Sequence, residues 1–439
     1  MIGVQNFDPK PHYAPRPAPQ GLTRATQALM AVGALSLLAS IGMGDFAVRG
    51  RGVVLVNLIY FTAICFGSSA WLAAQTLTLA RWSRPLRRFA ESMASFTPVL
   101  VVFWLVFYLT GGLNLYEWHT HPDVIWGHKA VWLQGPFMVG RVVLGLTVLC
   151  LTVLTFLRSS LRPDLLAATQ ALGESAVPSW WQNITAGATN VQAEVDERHT
   201  KLQGISPILG ALYAIVLSFF AFDVIMSLAP HWYANMFGGW FFMSGMWSSM
   251  VWTGILAITF GGWLGIEKYL KPSVFHDHGK LVFGFTMFWG YTTYAQILPI
   301  WYGNMTEEIG FLMVRFNLEP WTYLARVVGA MCFLIPFITL LSRGIKKMKG
   351  GFLIVLSILA TGIWLERFLV AVPSFWMEES IPLGPVELGI TAGFFGLFLF
   401  WVSRYLSSVP ALAVTDPYMH PHPDDVHAHA HDADLVAHH

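Results

Sequence analysis

Residues 205–228, ISPILGALYAIVLSFFAFDVIMSL, form an apolar stretch that contains a single charged side chain, Asp223. A helix of about 20 residues is long enough to cross the hydrocarbon core of a bilayer, which is about 30 Å thick. Within lipid, only helices and closed barrels satisfy their own backbone polar groups. This stretch is therefore predicted to be a membrane-spanning helix.

Nine similar stretches accompany it, so the sequence predicts an all-α integral membrane protein of about ten transmembrane helices. The ten stretches lie near 25–46, 53–79, 94–112, 131–157, 205–228, 236–265, 281–301, 320–342, 351–373 and 385–406. Only 12% of the residues are charged, against about 25% in soluble proteins. The sequence thus divides into an N-terminal tail (1–21), a membrane domain (22–406) with one long loop (158–204), and a His-rich tail (407–439).

Lys and Arg residues predict the orientation, because they are retained on the cytoplasmic side of a membrane. With the N-terminus inside, nineteen of the 26 fall in cytoplasmic segments and four fall in loops on the opposite side, namely Arg49, Arg51, Lys129 and Arg315. The other three, Arg141, Arg326 and Arg367, lie within predicted spans. Both termini and the 158–204 loop are therefore predicted to be cytoplasmic.

The histidines and cysteines argue against a redox centre in this chain. Haem b in membrane proteins needs histidines on helix interiors, and covalent haem attachment needs Cys-x-x-Cys-His. Outside the tail, none of the histidines falls in the middle of a predicted span, and the three cysteines share no metal spacing. The chain is predicted to hold no haem, cluster or metal, and its net charge of +1 gives no indication of nucleic acid binding.

Ionisable side chains within spans cost several kcal/mol unless they are paired or hydrated, so they mark candidate sites. Here they gather in the outer half of the bilayer: Asp45, Arg141, Asp223, Arg326, Glu366 and Arg367. They are either static ion pairs that fix helix register, or a hydrated proton path or quinone pocket. Because neighbouring residues on a helix point about 100° apart, Glu366 is expected to pair with Arg326 or Arg141 rather than with Arg367.

Asp223 is the leading candidate for a proton carrier, because Phe219, Phe220, Phe222 and Met226 surround it in sequence. Such an apolar setting favours the neutral form of a carboxyl group. The alternative is that Asp223 caps the helix end or forms a static pair with an arginine.

A second set of polar residues lies at the inner mouth of the sixth and seventh spans and continues along the seventh. It comprises His276, Asp277, Lys280, Tyr291, Tyr294 and Gln296. Hydroxyl and amide groups at this spacing either carry a chain of water molecules or form satisfied contacts between helices.

The order of several motifs resembles a known family. The blocks are RWSRPLRR at 81–88, LYEW at 115–118, FDVIMSLAPHWY at 222–233, NMFG at 235–238 and HDHGKLVFGFT at 276–286. Together they resemble the F subunit of alternative complex III, a bacterial quinol:electron-acceptor oxidoreductase. This F subunit belongs to the family of NrfD-like membrane subunits. The similarity covers most of 22–406, although Ala229 stands where the family leads us to expect an acidic residue.

The resemblance implies two four-helix bundles plus two further helices, in the bacterial inner (cytoplasmic) membrane. It implies partner subunits that carry haem c and iron–sulfur clusters, an NrfD-like sister subunit with its own quinol site, and menaquinone or another quinone as a potential ligand. The leading hypothesis is therefore a membrane subunit that contributes a proton path, and a quinone-facing surface, to quinol oxidation. The alternatives are a secondary transporter with a buried charged substrate site and a purely structural scaffold.

The predicted topology is tested by reporter fusions after Arg88, Leu202 and Arg404. All three reporters should show a cytoplasmic location, because the excess of Lys and Arg falls on that side in one loop after another. An external signal at any one of them would contradict the ten-helix arrangement.

Overall fold

The computed structural model describes residues 10–304, 306–376 and 378–419, and all regular secondary structure in these residues is helical. We number the ten long helices α1 to α10. They are α1 (Gln20–Gly42), α2 (Asp45–Leu77), α3 (Arg84–Leu109), α4 (Gly135–Leu172), α5 (Val191–Leu228), α6 (Phe237–Leu264), α7 (Pro272–Gly303), α8 (Trp321–Leu341), α9 (Lys349–Ser374) and α10 (Pro385–Leu406).

In the described ranges, nine of these helices are long and apolar enough to cross a membrane, which confirms the predicted all-α membrane fold. The remaining one is α7, which contains the predicted span 281–301. It is 32 residues long, but Tyr291, Tyr294 and Gln296 make its outer half less apolar than the other spans.

The helices pack as two four-helix bundles and one additional pair. Helices α2 to α5 form the first bundle, α6 to α9 form the second, and α1 packs against α10 beside α2. In α2, 94% of the most apolar segment is buried, against 17% in α1. A helix that is apolar on all sides is stable when other helices surround it, so α2 lies at the centre of the molecule and α1 at its edge.

The two bundles meet where α2 and α6 carry glycines. A Cβ atom on Gly67 would lie 2.2 Å from the carbonyl oxygen of Gly245. A Cβ atom on Gly245 would lie 2.7 Å from the hydroxyl oxygen of Tyr213 on α5. Small residues let membrane helices approach closely and gain van der Waals contact, so these two glycines set the distance between the bundles.

The long loop predicted at 158–204 is shorter in the structure. Helix α4 continues to Leu172, through Pro163, and α5 already begins at Val191. A short helix, Ser179–Thr185, fills part of the connection. Apolar periodicity alone underestimated these helices, because their ends carry the polar side chains that suit a water-exposed surface.

A buried network of charges lies at the predicted cytoplasmic end of α3 and α4. Arg84 Nη1 lies 2.9 Å from Asp416 Oδ2, and Arg87 Nε lies 3.0 Å from Glu91 Oε1. Arg88 pairs with both Glu91 and Asp164.

This network anchors the segment that follows α10. The backbone N–H of Thr415 donates to Asp164 Oδ1 at 2.7 Å, and Leu412 and Met419 are buried. Residues 411–419 therefore pack onto the helices, although they belong to the stretch that was predicted to be a His-rich tail. The tail histidines, from His420 onward, lie outside the described residues.

Replacing Gly67 with Leu should destabilise the fold by about 1–3 kcal/mol, because the added side chain forces the α2 and α6 backbones apart. The measurement is thermal unfolding in detergent. Gly140→Leu is the matched control, since a Cβ atom at Gly140 on α4 meets no atom within 4 Å. Equal stability of the two variants would show that the bundles are not in contact at Gly67.

Candidate functional site

Two of the ionisable residues predicted in the outer half do not join a buried site. Asp45 is exposed and lies 3.9 Å from Arg49, one helical turn away. Arg326 is also exposed, on the outer surface of α8, with its guanidinium 5.7 Å from the ring centre of Tyr323. The prediction that Arg326 or Arg141 pairs with Glu366 is wrong.

The buried Asp223 forms an ion pair with the partly buried Arg141 in the first bundle. Arg141 Nε lies 2.7 Å from Asp223 Oδ2, and Arg141 Nη2 lies 2.8 Å from Oδ1. The indole N–H of Trp132 also donates to Oδ1 at 2.9 Å, and the guanidinium lies 3.7 Å from the Trp132 ring centre. Asp223 thus forms a pair with an arginine, as one of the two predicted alternatives required. It lies in a π-helical turn, Ala221–Ile225.

Glu366 and Arg367 form the second buried pair, on α9. Arg367 Nη1 lies 3.0 Å from Glu366 Oε2, and both side chains are almost fully buried. Neighbouring residues on a helix point about 100° apart, which predicted different partners for Glu366 and Arg367. The arginine side chain is nevertheless long enough to bend back and reach Glu366. Arg367 also donates to the Ser244 hydroxyl on α6 and lies 5.1 Å from the Trp240 ring centre.

A cavity of about 500 Å³ lies beside Glu366, between the helices of the second bundle and the short helix Thr306–Phe316. Aromatic and aliphatic side chains form most of its wall. The lining residues that bear on its chemistry are Trp232, Trp240, Trp289, Gly329, Arg315 and Glu366. Tyr294 and Gln296, predicted to belong to a water chain, also line it. The structure therefore brings Glu366 together with these two residues, and it separates them from Asp223 and Arg141.

Arg315 is a site residue that the sequence analysis did not find, because it was assigned to an outer loop. It is buried, and its guanidinium donates to the carbonyl oxygens of Leu369 at 3.0 Å and Val370 at 2.7 Å. It also donates to the Ser374 hydroxyl at 2.8 Å. The carbonyls at a helix C-terminus lack partners within the helix and attract cations, so Arg315 caps the C-terminal end of α9. The sequence feature that could have identified it is the position of an arginine at the end of an amphipathic segment between two predicted spans.

A row of polar groups leads along α6 from Arg367 towards the C-terminal end of that helix. The Ser248 hydroxyl donates to the carbonyl oxygen of Ser244 at 2.6 Å, and the Trp252 indole donates to the Tyr60 hydroxyl at 2.9 Å. Further along the row, the fully buried His278 of α7 packs against Gly254 of α6. Ser244, Ser248 and Trp252 are spaced four residues apart and so share one face.

The inner set of predicted residues stays at the surface of α7. Lys280 Nζ lies 2.8 Å from Asp277 Oδ1, and His276 Nδ1 lies 3.4 Å from the same oxygen. Desolvation lowers the pKa of His276, and its hydrogen bond to Asp277 opposes this effect. These three residues form a local charged cluster that does not reach the cavity.

The residues predicted along α7 do not form one continuous chain. Tyr291 is 65% exposed and points away from the bundle, whereas Gln296 lines the cavity and donates to the carbonyl oxygen of Thr292 at 3.1 Å. For Gln296 this hydrogen bond lies within α7 itself, so it is not a contact between helices.

No group of three or more His, Cys, Asp or Glu side chains that could hold a metal ion occurs in residues 10–304, 306–376 and 378–419. Cys65, Cys150 and Cys332 are buried and separate.

Fold and site together define a multi-pass, all-α membrane protein in which each bundle buries one acidic side chain near the end that is predicted to face away from the cytoplasm. No protein-family model matches the chain, and a search of curated proteins finds no match.

Replacing Asp223 with Ala should destabilise the protein by up to about 3–5 kcal/mol, because the partly buried guanidinium of Arg141 then lacks its carboxylate partner. Removing both side chains should cost less than removing Asp223 alone. Denaturant unfolding in detergent measures these free energies. The control is Asp45→Ala, an exposed residue whose loss should change stability by less than about 0.5 kcal/mol. Equal losses in the single and double variants would contradict the pairing.

Proposed function

We propose that this chain is a membrane subunit of a bacterial quinol-oxidising complex, of the kind represented by the F subunit of alternative complex III. It lies in the inner membrane with both termini in the cytoplasm. The sequence blocks around Asp223 and His278 support this proposal, as does the architecture of two four-helix bundles with one additional helix pair.

In this role the chain moves protons, while partner subunits with haem c and iron–sulfur clusters move the electrons. An NrfD-like sister subunit would supply the neighbouring quinol site. The supporting observation is the position of Glu366, a buried carboxyl group that borders the cavity and pairs with Arg367. Arg367 in turn contacts Ser244, the first hydroxyl of the polar row on α6. A carboxyl group between a cavity and a row of hydroxyls can accept a proton from one side and release it to the other.

A secondary transporter is the second candidate. Its support is that π-helical turns interrupt α5 at Ala221–Ile225 and α8 at Ala330–Leu334, and that interrupted helices surround transporter binding sites. The buried ion pairs lie towards the outer ends of α5 and α9 rather than around one central site, which favours the first candidate.

Purification in mild detergent distinguishes the candidates. A subunit of an electron-transfer complex should copurify with partners that show haem and iron–sulfur absorbance. A chain that purifies alone and catalyses solute uptake in liposomes would contradict the proposal and establish the transporter.

In the purified complex, Glu366→Gln should lower proton release and quinol oxidation by about tenfold or more, because the amide keeps the shape of the carboxyl group but cannot titrate. Rates of proton release and quinol oxidation are measured in liposomes, after subunit content is checked. Glu117→Gln, at an exposed position, is the matched control. Normal rates in both variants, with normal assembly, would leave the chain as a scaffold.

A further inference from the structure

We propose that a groove between α1 and α3 binds one acyl chain of a phospholipid, and that Arg51 binds the phosphate group of the same lipid. The groove shares no lining residue with the cavity beside Glu366. The inference therefore concerns a second site and does not rest on the proposed function.

The groove exists because α1 packs along α10 and contacts α2 much less. A Cβ atom on Gly33 of α1 would lie 2.3 Å from the Cα atom of Gly393 on α10, so these two helices touch through their backbones. Between α1 and α3 a space of about 430 Å³ remains, and α2 and α10 form its floor. Ile41 on α1 and Val106 on α3 line this space and are exposed, so the groove opens on the surface that a bilayer surrounds.

The length of the groove corresponds to one leaflet of a bilayer. On α1 the lining residues extend from Met30 to Ile41, which is about 16 Å at a rise of about 1.5 Å per residue. Half of the hydrocarbon core of a bilayer is about 15 Å thick. Apart from Arg51 and Thr110, both at one end, the lining residues are apolar or glycine. A single acyl chain thus fits the groove in both length and chemistry.

Arg51 lies at the end of the groove that is predicted to face away from the cytoplasm. Its neighbour Arg49 is neutralised by Glu387, since Arg49 Nη2 lies 2.9 Å from Glu387 Oε1. In the part of the chain that the structure describes, Arg51 has no carboxylate partner. Its Nη1 donates to the carbonyl oxygen of Ala47 at 3.3 Å and its Nη2 to that of Thr110 at 2.9 Å.

The Arg51 guanidinium still has hydrogen-bond donors to offer. Each terminal nitrogen of an arginine carries two hydrogens, so one N–H remains on Nη1 and one on Nη2. Both existing hydrogen bonds lie at the exposed surface, where a ligand can reach these nitrogens. Arginine binds phosphate through such paired N–H groups, and the charge makes these hydrogen bonds stronger than neutral ones.

The charge selects a phospholipid among the molecules that could cover an apolar groove. A phospholipid carries its phosphate at the membrane boundary, directly beside the start of its acyl chains, as Arg51 lies at the end of the groove. A neutral lipid, or an apolar helix of another protein, would cover the same surface and leave the cation without an anion. Unpaired charges at a membrane are costly, so the phospholipid is the better occupant.

Binding is tested by native mass spectrometry of the full chain in detergent. The probe is phosphatidylglycerol, and the reference is a diacylglycerol with the same acyl chains. The wild type should bind phosphatidylglycerol about tenfold or more tightly than diacylglycerol, because only the former offers an anionic acceptor to Arg51. Arg51→Gln should abolish this difference. Arg51→Lys should retain part of it, since lysine keeps the charge but not the paired N–H groups.

A second set of variants tests the groove itself. Ala34 lines it and is exposed, so Ala34→Phe should place a ring in the groove and lower the affinity for both lipids by about tenfold or more. Val106→Phe should do the same from the opposite wall, so the test does not depend on one variant. Ala39→Phe is the matched control. Ala39 is also exposed but lies about 180° around α1 from Met30, so the change should be less than about twofold.

Thermal unfolding in detergent shows that each variant is folded before its affinity is compared. Equal affinity of the wild type for the two lipids would overturn the proposal, because Arg51 would then bind no phosphate. A preference for phosphatidylglycerol that persists in Arg51→Gln, or binding that folded Ala34→Phe and Val106→Phe leave unchanged, would place the lipid elsewhere and also overturn it. These outcomes do not depend on partner subunits, so they are independent of the copurification result.

Discussion

The contact between the α2 and α6 backbones at Gly67 and Gly245 determines how the rest of the molecule is arranged. It brings the two bundles to a distance that no larger side chain would allow. Ser244, the partner of Arg367, directly precedes Gly245, so the same contact fixes where α9 meets α6. The position of Glu366 beside its cavity is therefore a consequence of packing between two helices that do not themselves carry a charge at that point.

Charges inside this protein are stable because each has a partner from its own or a neighbouring helix. Asp223 has Arg141 and Trp132, and Glu366 has Arg367. The resulting sites differ in chemistry. Asp223 receives two hydrogen bonds from Arg141 on another helix, whereas Glu366 is held by its sequence neighbour Arg367 and borders the cavity. The two bundles thus neutralise their buried acids with arginines that come from different positions, one on a neighbouring helix and one on the same helix.

The apolar stretches predicted the helices, because length and hydrophobicity alone decide which segments can span a bilayer. The outcome was different for the charges. Sequence identified Glu366 as a site residue but not its partner, since helical angles ignore how far an arginine side chain can bend. Arg326 was predicted within a span but its side chain is exposed, and Arg315 was predicted in a loop but its side chain is buried. Burial of these two residues depends on which face of α8 packs against its neighbours and on how Thr306–Phe316 folds back, and neither can be seen in the sequence. The sequence did not identify Ser244 and Ser248 as site residues, because small residues are common in several of the predicted spans.

The segment 411–416 has a consequence for biosynthesis. Asp416 and Thr415 complete the buried network of Arg84, Arg87 and Asp164, yet the ribosome makes them after all ten helices. Until then, α3 enters the membrane with arginines that lack one of their carboxylate partners. Insertion of the helices and completion of the fold are thus separate events in time. A nascent chain interrupted after α10 would carry an unmatched positive cluster at its membrane boundary, a feature that cellular quality control can distinguish from the finished protein.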